Sequence, residues 1–259
     1  MKRIAAILMA LVLCLSMVCF AEADSDLAYI QGKGTLVVGI TDFAPMDYKD
    51  ENGEWIGFDV DVAKAFAESI GVEVEFIEIN WDNKILELNN KTIDCVWNGM
   101  TLTEDVKAAM ECSNAYANNA QVVIVPVDVA DQYQTDESIA ELTIAVEAGS
   151  AGEEVVSALG YATTPVTSQA DTLMEVAAGT SDAAVIDSLM AAAMVGEGTG
   201  YANLTYTCGL NSEEYGVGFR TGSDVAAALN DYMKAAYAEG TLQQIAETYG
   251  VQAALIPQE

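Results

Sequence analysis

The sequence predicts an α/β protein made of two similar lobes. Three observations carry that expectation. Strand-like and helix-like hydrophobic periods alternate along most of the chain, and the alternation comes as two successive sets separated by the apolar run Gln121–Pro126. With 52% apolar residues and a mean hydropathy of +0.23, the chain can also bury the core that such an architecture needs.

The chain opens on Lys2-Arg3, continues apolar from Ile4 to Phe20 and reaches Ala21-Glu22-Ala23 ahead of Asp24. A basic start, a short apolar stretch and a small-x-small site are the marks of a secretory signal peptide over residues 1–23, with the mature chain starting near Asp24. The alternative, a membrane anchor, suits the segment less well, because it is short for a span and no basic stop-transfer flank follows. Lipidation at Cys19 is a minority reading, since Ser16-Met17-Val18 lacks the Leu and the small residue of such a site.

In the first set, Thr35–Ile40 reads as a strand. Asp61–Ile70 places Val62, Phe66 and Ile70 on one helical face closed by Gly71. Val72, Val74, Phe76 and Ile79 then alternate with acids as a strand, and Asp82 is placed to cap a short helix carrying Ile85, Leu86 and Leu88. Ile93–Trp97 is the next strand, and Thr103 caps a helix over Glu104–Met110. Asn52-Gly53, between Tyr48 and Trp55, has the composition of a hairpin turn.

The second set runs as strand Leu142–Val146, helix Gly152–Leu159, strand Tyr161–Pro165, helix Ala170–Ala178, strand Asp182–Ile186 and helix Ser188–Val195. The Gly196–Gly200 cluster reads as a turn, because no strand-to-helix step surrounds it to make a phosphate loop. Strand Tyr215–Phe219 and helices Val225–Ala238 and Leu242–Tyr249, separated by Gly240, end the chain.

Without residues 1–23 the chain has 8 basic and 39 acidic residues, a net charge of −31. Nucleic acid and anionic membrane surfaces are poor partners for such a field. The acidity itself needs no function beyond a solvated surface. Three cysteines remain, and an exported chain meets a disulfide-permissive compartment. Cys95 and Cys112 bracket one predicted helix, so they read either as a bridge or as two buried thiols, with Cys208 left over. There is no histidine and no C-x-x-C spacing, so neither zinc, another metal nor a cofactor is expected.

The same composition removes Ser-His and Cys-His chemistry, and Ala148-Gly149-Ser150-Ala151-Gly152 lacks the first glycine of a nucleophile elbow. In so acidic a chain, Asp59/Asp61 and Glu153/Glu154 carry little signal for glycoside chemistry, and Asp50–Glu54 fits a calcium loop poorly. Binding is the class that remains.

The ordered series "DFAPMDY", "GFDVDVAKAFAESIGVEVEFIEINWDNKI", "IDCVWNGMTLT", "SNAY", "GSAGEE", "SDAAVID", "YGVGFRTGSD" and "GTLQQIAETYG" resembles the amino-acid-type solute-binding proteins of ABC importers, solute-binding protein family 3, over Leu27 to Gly250. The resemblance implies a periplasmic-binding-protein fold whose two lobes, each a mixed sheet flanked by helices, enclose a ligand cleft. The chain would cross the hinge near Gln121–Pro126 and return near Glu213–Gly218. Residues 24–122 with 215–259 would then form one lobe, and 123–214 the other. It implies a monomer, located in the periplasm or on the outer face of the envelope, that closes by hinge motion and delivers an amino acid or amine-bearing molecule to a membrane permease.

The resemblance also assigns residues. Phe43 and Trp81 match the aromatics on either side of the ligand, and each follows a strand where an exposed ring lines a cleft; the residues alone equally allow core packing. Asn98, Gly99 and Thr101 match the segment that contacts an amino acid's ammonium and carboxylate; a turn and a cap are the plainer readings. Ser150, Ala151 and Gly152 match a carboxylate-binding loop at a helix start, with Ala151 standing where relatives often carry a second hydroxyl. Asp187 matches the partner of the α-ammonium and otherwise reads as a helix cap. One departure stands out: Val106 occupies the position of an arginine that grips the ligand's carboxylate. Lys107 would point away on a helix, and Arg220, the only arginine of the mature chain, matches a position near the returning hinge strand. The expected ligand is therefore an amine whose carboxylate grip is weak or absent. The rival readings are an extracytoplasmic enzyme on the same fold, resembling dehydratases of arogenate or prephenate, and a ligand-binding partner of a membrane sensor.

Overall fold

The computed structural model describes residues 25–259; the leader and Cys19 lie outside them. Helix α1 (Asp26–Lys33) leads into strand β1 (Thr35–Ile40), and the hairpin β2 (Tyr48–Lys49) with β3 (Trp55–Ile56) turns at Asn52-Gly53. Helix α2 (Phe58–Ser69), strand β4 (Glu73–Glu78), helix α3 (Lys84–Asn89), strand β5 (Cys95–Thr101) and helix α4 (Glu104–Ala109) complete the first alternation. Strands β6 (Glu111–Cys112) and β7 (Ala117–Asn119) follow. In the first sheet β4, β1 and β5 run parallel in that order, and β13 (Glu213–Phe219), returning from the far end of the sequence, lies antiparallel beside β5 and carries β6 and β7 on its other side.

The second sheet is built in the same way. Strands β10 (Thr163–Val166), β9 (Ile144–Glu147) and β11 (Ala183–Asp187) are parallel, and β8 (Gln121–Pro126) lies antiparallel between β11 and β12 (Leu204–Gly209). Helices α5 (Ala151–Ala158), α6 (Gln169–Ala178) and α7 (Ser188–Met194) connect its strands. Helices α8 (Val225–Glu239) and α9 (Thr241–Tyr249) return to the first lobe, where α9 packs on both α8 and α2. The chain is thus two-lobed α/β, with a mixed sheet in each lobe. It changes sheets at Ala120 and again between Gly209 and Glu213, because β8 pairs with β11 from Gln121 onward while Glu213 still pairs with Asn119.

The apolar periods explain the core. On α2, Phe58, Val62 and Phe66 are spaced by four and buried, and Phe66 meets Trp97 and Tyr232 with ring centroids 6.3 and 5.7 Å away. Burial of each such ring stabilises the lobe by about 2–3 kcal/mol. Helix α2 begins at Phe58, three residues before the expected start, because the carbonyls of Pro45 and Met46 accept the N–H groups of Phe58 and Asp59.

Two further expectations are corrected, and the open alternative at Cys95 and Cys112 is decided. Asp82 does not cap α3: Asn80 accepts the Asp82 N–H and starts a 3-10 turn, Trp81–Asn83, that runs into the helix. Leu86 is exposed, so the apolar face of α3 is narrower than its sequence suggests. Cys95 and Cys112 are free thiols. Cys95 pairs with Phe219 and Cys112 with Gly218, so β13 lies between them. Two strand spacings are roughly 9–10 Å, beyond the ~7 Å limit between the Cα atoms of a disulfide.

Candidate functional site

A cavity of about 420 Å³ lies between the lobes, within the range of a small-molecule site. The first lobe lines it with Trp81, Lys84, Val106 and the segment Asn98–Thr101; the second contributes Glu147, Gly149, Ser150, Ala151, Gln169 and Asp187. The sequence-derived residues Trp81, Asn98, Gly99, Thr101, Ser150, Ala151 and Asp187 are therefore brought together, and Phe43 and Gly152 lie behind the wall they form.

Phe43 is 2% exposed and sits under Gly99: a Cβ on Gly99 would lie 2.2 Å from the Phe43 ring. That proximity, with a φ of +54° in the middle of a strand, is why residue 99 is glycine. Asn98-Gly99 is accordingly not a turn. It belongs to β5 at an irregularity in its pairing with β13, and the Gly99 N–H donates to Asp59 Oδ2 at 2.7 Å. Asp59 also accepts the Tyr116 hydroxyl at 2.7 Å, so this buried carboxylate fixes the bulge from behind. Burial pushes the Asp59 carboxyl up to about 7, with the Tyr116 and Gly99 hydrogen bonds pulling the other way. The Asn98 side chain is tied to the neighbouring strand end: its amide donates to Thr41 Oγ1 and its carbonyl accepts the Thr41 N–H, both at 2.9 Å.

Trp81 is held by an apolar cluster with Val37, Met100, Met110 and Val106. Val106 therefore spends its side chain on that cluster, 7% exposed, in the place where the resemblance puts an arginine. Its N–H donates to the capping Thr103 hydroxyl. The cation of this cavity is instead Lys84, on the first residue of α3. Its ammonium lies 4.9 Å from the centre of the Trp81 ring and crosses between the lobes to donate to the Gly149 carbonyl at 2.8 Å. A second, longer bond reaches the Trp81 carbonyl, and burial lowers the Lys84 pKa.

In the second lobe Ser150 caps α5, accepting the Glu153 N–H at 3.2 Å. Gly149 donates to Glu153 Oε2 at 2.7 Å, and Gly152 packs so tightly that a Cβ there would be 2.9 Å from Gln121 Oε1. Asp187 ends β11 at the head of α7 without capping it. Its carboxylate accepts the amides of Asn119, Gln121 and Gln169 and the Tyr215 hydroxyl. Burial, and then the charge of Glu213, raise its pKa to about 8. Asn119 and Gln121 each donate to Glu213 as well, as does the Thr101 hydroxyl at 2.9 Å, so one polar network ties both hinge segments to the floor of the cleft.

Sequence reasoning missed Glu147, Lys84, Gln169, Glu213 and Asp59. Glu147 had a signal: an acid ending an otherwise apolar strand just before a helix cap. Lys84 had almost none, being one polar residue on a short amphipathic turn. Among the described residues no three His, Cys, Asp or Glu side chains converge to hold a metal, and no helix is long and apolar enough to cross a membrane.

Comparison with known proteins agrees with the architecture. The model of the bacterial extracellular solute-binding proteins, family 3, matches residues 36–252. The arginine-binding extracellular protein ArtP of Bacillus subtilis is 29% identical over 183 residues, 69% of this chain and 71% of its own. The crystal structure of a mutant of ArgBP from T. maritima superposes with a TM-score of 0.82 at 32% identity, covering 87% of this chain and 99% of that one. A cyclohexadienyl dehydratase of Pseudomonas aeruginosa is 28% identical over 138 residues, 52% of each chain.

Proposed function

Because the chain belongs to the bacterial extracellular solute-binding proteins of family 3, we propose that its cleft captures an amino acid or a related amine-bearing molecule and that the closed, loaded form delivers it to an ABC permease. The chain acts outside the cytoplasm, as a monomer in the periplasm or on the outer face of the envelope, and performs no chemistry on its ligand. One observation carries the reading: both lobes line a single cavity whose buried ionisable groups are Lys84 from one side and Glu147 and Asp187 from the other. Such a pocket suits a small ligand that bears an ammonium and a carboxylate. Trp81 covers it, with Phe43 supporting the wall from behind. The Asn98–Thr101 segment and Ser150 with the first N–H groups of α5, at Ala151 and Gly152, offer polar contacts, and Lys84 supplies the cation that Val106 does not.

The test is a thermal-shift screen of amino acids, amines and short peptides, followed by calorimetry on those that raise Tm. A ligand at one hundred times its Kd stabilises by about 2.7 kcal/mol. No shift with any of them would remove this reading. The dehydratase relative, together with two buried carboxyls held protonated near neutrality, favours a second reading as an enzyme on the same fold. Incubation with arogenate and prephenate decides between them: the binding reading expects no product.

A further inference from the structure

The two buried carboxylates among the acids that line the cavity are satisfied very differently. Asp187 accepts bonds from Asn119, Gln121 and Tyr215 at Oδ1 and from Gln169 at Oδ2, so both its oxygens have protein donors. Glu147, from the end of β9 on the same wall, is 2% exposed, and its Oε1 is buried with no hydrogen-bond partner. Lys84 spends its bonds on the carbonyls of Gly149 and Trp81, and no ion pair joins it to Glu147 within 4 Å. The Thr41 hydroxyl is the one hydrogen-bonding neighbour of Glu147, and the buried Oε1 is left for a proton, or for a cation that fills the space beside it, to satisfy.

We infer that Glu147 is the acceptor for a second cationic group of the ligand, so that the cleft selects amino acids with a basic side chain. This rests on the solute-binding reading and adds the ligand's class to it. Two buried acids and one buried lysine are the charge inverse of a basic amino acid, which carries two cations and one carboxylate. The groups acting on Glu147 from neighbouring elements are Asp187 on β11, Lys84 on α3, Thr41 after β1 and Asp171 on α6. Burial, then the Asp187 charge, raise its pKa to about 8, while Lys84 and Thr41 pull it down. A ligand cation arriving beside it expels the proton.

The experiment compares L-arginine with L-citrulline and L-lysine with L-norleucine, pairs that differ chiefly in the side-chain cation. Calorimetry of the mature protein is expected to show at least one basic member bound about 30-fold or more tighter than its neutral partner, the scale of one charge-assisted hydrogen bond. Glu147→Gln is expected to shrink that ratio to within about threefold, and Glu147→Asp to keep some of it. Titrations at pH 7 in two buffers of different ionisation enthalpy are expected to show more proton release with the basic ligand than with its neutral partner, the excess coming from Glu147 while Asp187 answers the α-ammonium of both. This last readout needs no variant, so misfolding of Glu147→Gln does not block it. Equal affinity within both pairs, an undiminished ratio in a folded Glu147→Gln, or proton release that is the same for the basic and the neutral ligand overturns the inference. If neutral amino acids bind well while basic ones do not, the inference falls and the solute-binding reading stands; if no amino acid or amine binds, both fall.

Discussion

Asp187 and Val106 show how much one side chain decides here. Asp187 lies where the resemblance puts an ammonium partner, yet the protein already fills its oxygens with amide and hydroxyl donors. Its worth to binding is then largely electrostatic. Asp187→Asn, which keeps the shape and removes the charge, is expected to weaken a cationic ligand by about 2 kcal/mol in calorimetry. Unchanged affinity would leave Asp187 as a scaffold for the hinge network alone. At Val106 the expectation is also a loss. The position is buried in the apolar cluster that holds Trp81, so Val106→Arg forces a charge into that cluster or into the cavity beside Lys84. Arginine affinity is expected to fall at least tenfold, about 1.4 kcal/mol, with Trp81 fluorescence as the readout. Tighter binding of an α-amino acid would mean that this pocket still lacks a carboxylate grip that Lys84 does not provide.

At the scale of strands and helices, most of the order was legible because hydrophobic period and cap chemistry are local. Thr103 caps its helix as its sequence position suggests, and Val62 and Phe66 face the core. What was illegible depends on which strand lies beside which. Cys95 and Cys112 look adjacent along the chain, but β13, arriving from more than a hundred residues away, is inserted between their strands. Thiol titration of the denatured, unreduced mature protein should therefore count Cys95, Cys112 and Cys208 all free. A count of one would place a bridge where the sheet leaves no room for it. The same dependence on distant partners hid the role of Arg220. Its guanidinium pairs with Asp26 at 2.8 Å and Asp94 at 3.2 Å and reaches the Ile93 carbonyl, pinning α1 to the end of β13. Asp94 is fully buried, and Lys33 stays beside it when Arg220 is removed. Arg220→Ala is expected to cost about 3 kcal/mol in urea unfolding, the low end for breaking a buried pair, with ligand affinity unchanged. The cleft itself was legible only as a resemblance: Glu147 and Lys84 acquire their meaning from facing each other across two lobes, and no local pattern records that.

For the whole molecule, the cleft makes stability depend on pH. Glu147 and Asp187 titrate near 8 in the folded protein, against about 4 in an unfolded chain. Between those values the folded state holds protons that the unfolded state has released. The stabilisation these two groups bring is complete below about pH 4, shrinks as pH rises and is gone above about pH 8. The Tm of the ligand-free protein should therefore fall between pH 6 and 9, less steeply in Glu147→Gln. A Tm that rises over this range would show that neither carboxyl is held protonated. The lobes also meet at one tight point. Gly149, at φ +71°, lies over the backbone of Asp82, where an added Cβ would be 2.8 Å from Asp82 Cα. Asp82 Oδ1 would be equally near, at 2.8 Å, and Asp82 Cβ at 3.2 Å, so backbone and carboxylate together leave no clearance for a methyl group when the jaws are shut. Gly149→Ala acts as a doorstop as well as straining the turn, and strain alone does not push the jaws apart. Small-angle scattering should find the wild type contracting on loading while the alanine form fills and stays ajar, a receptor that holds its cargo without giving the permease a shut face to recognise.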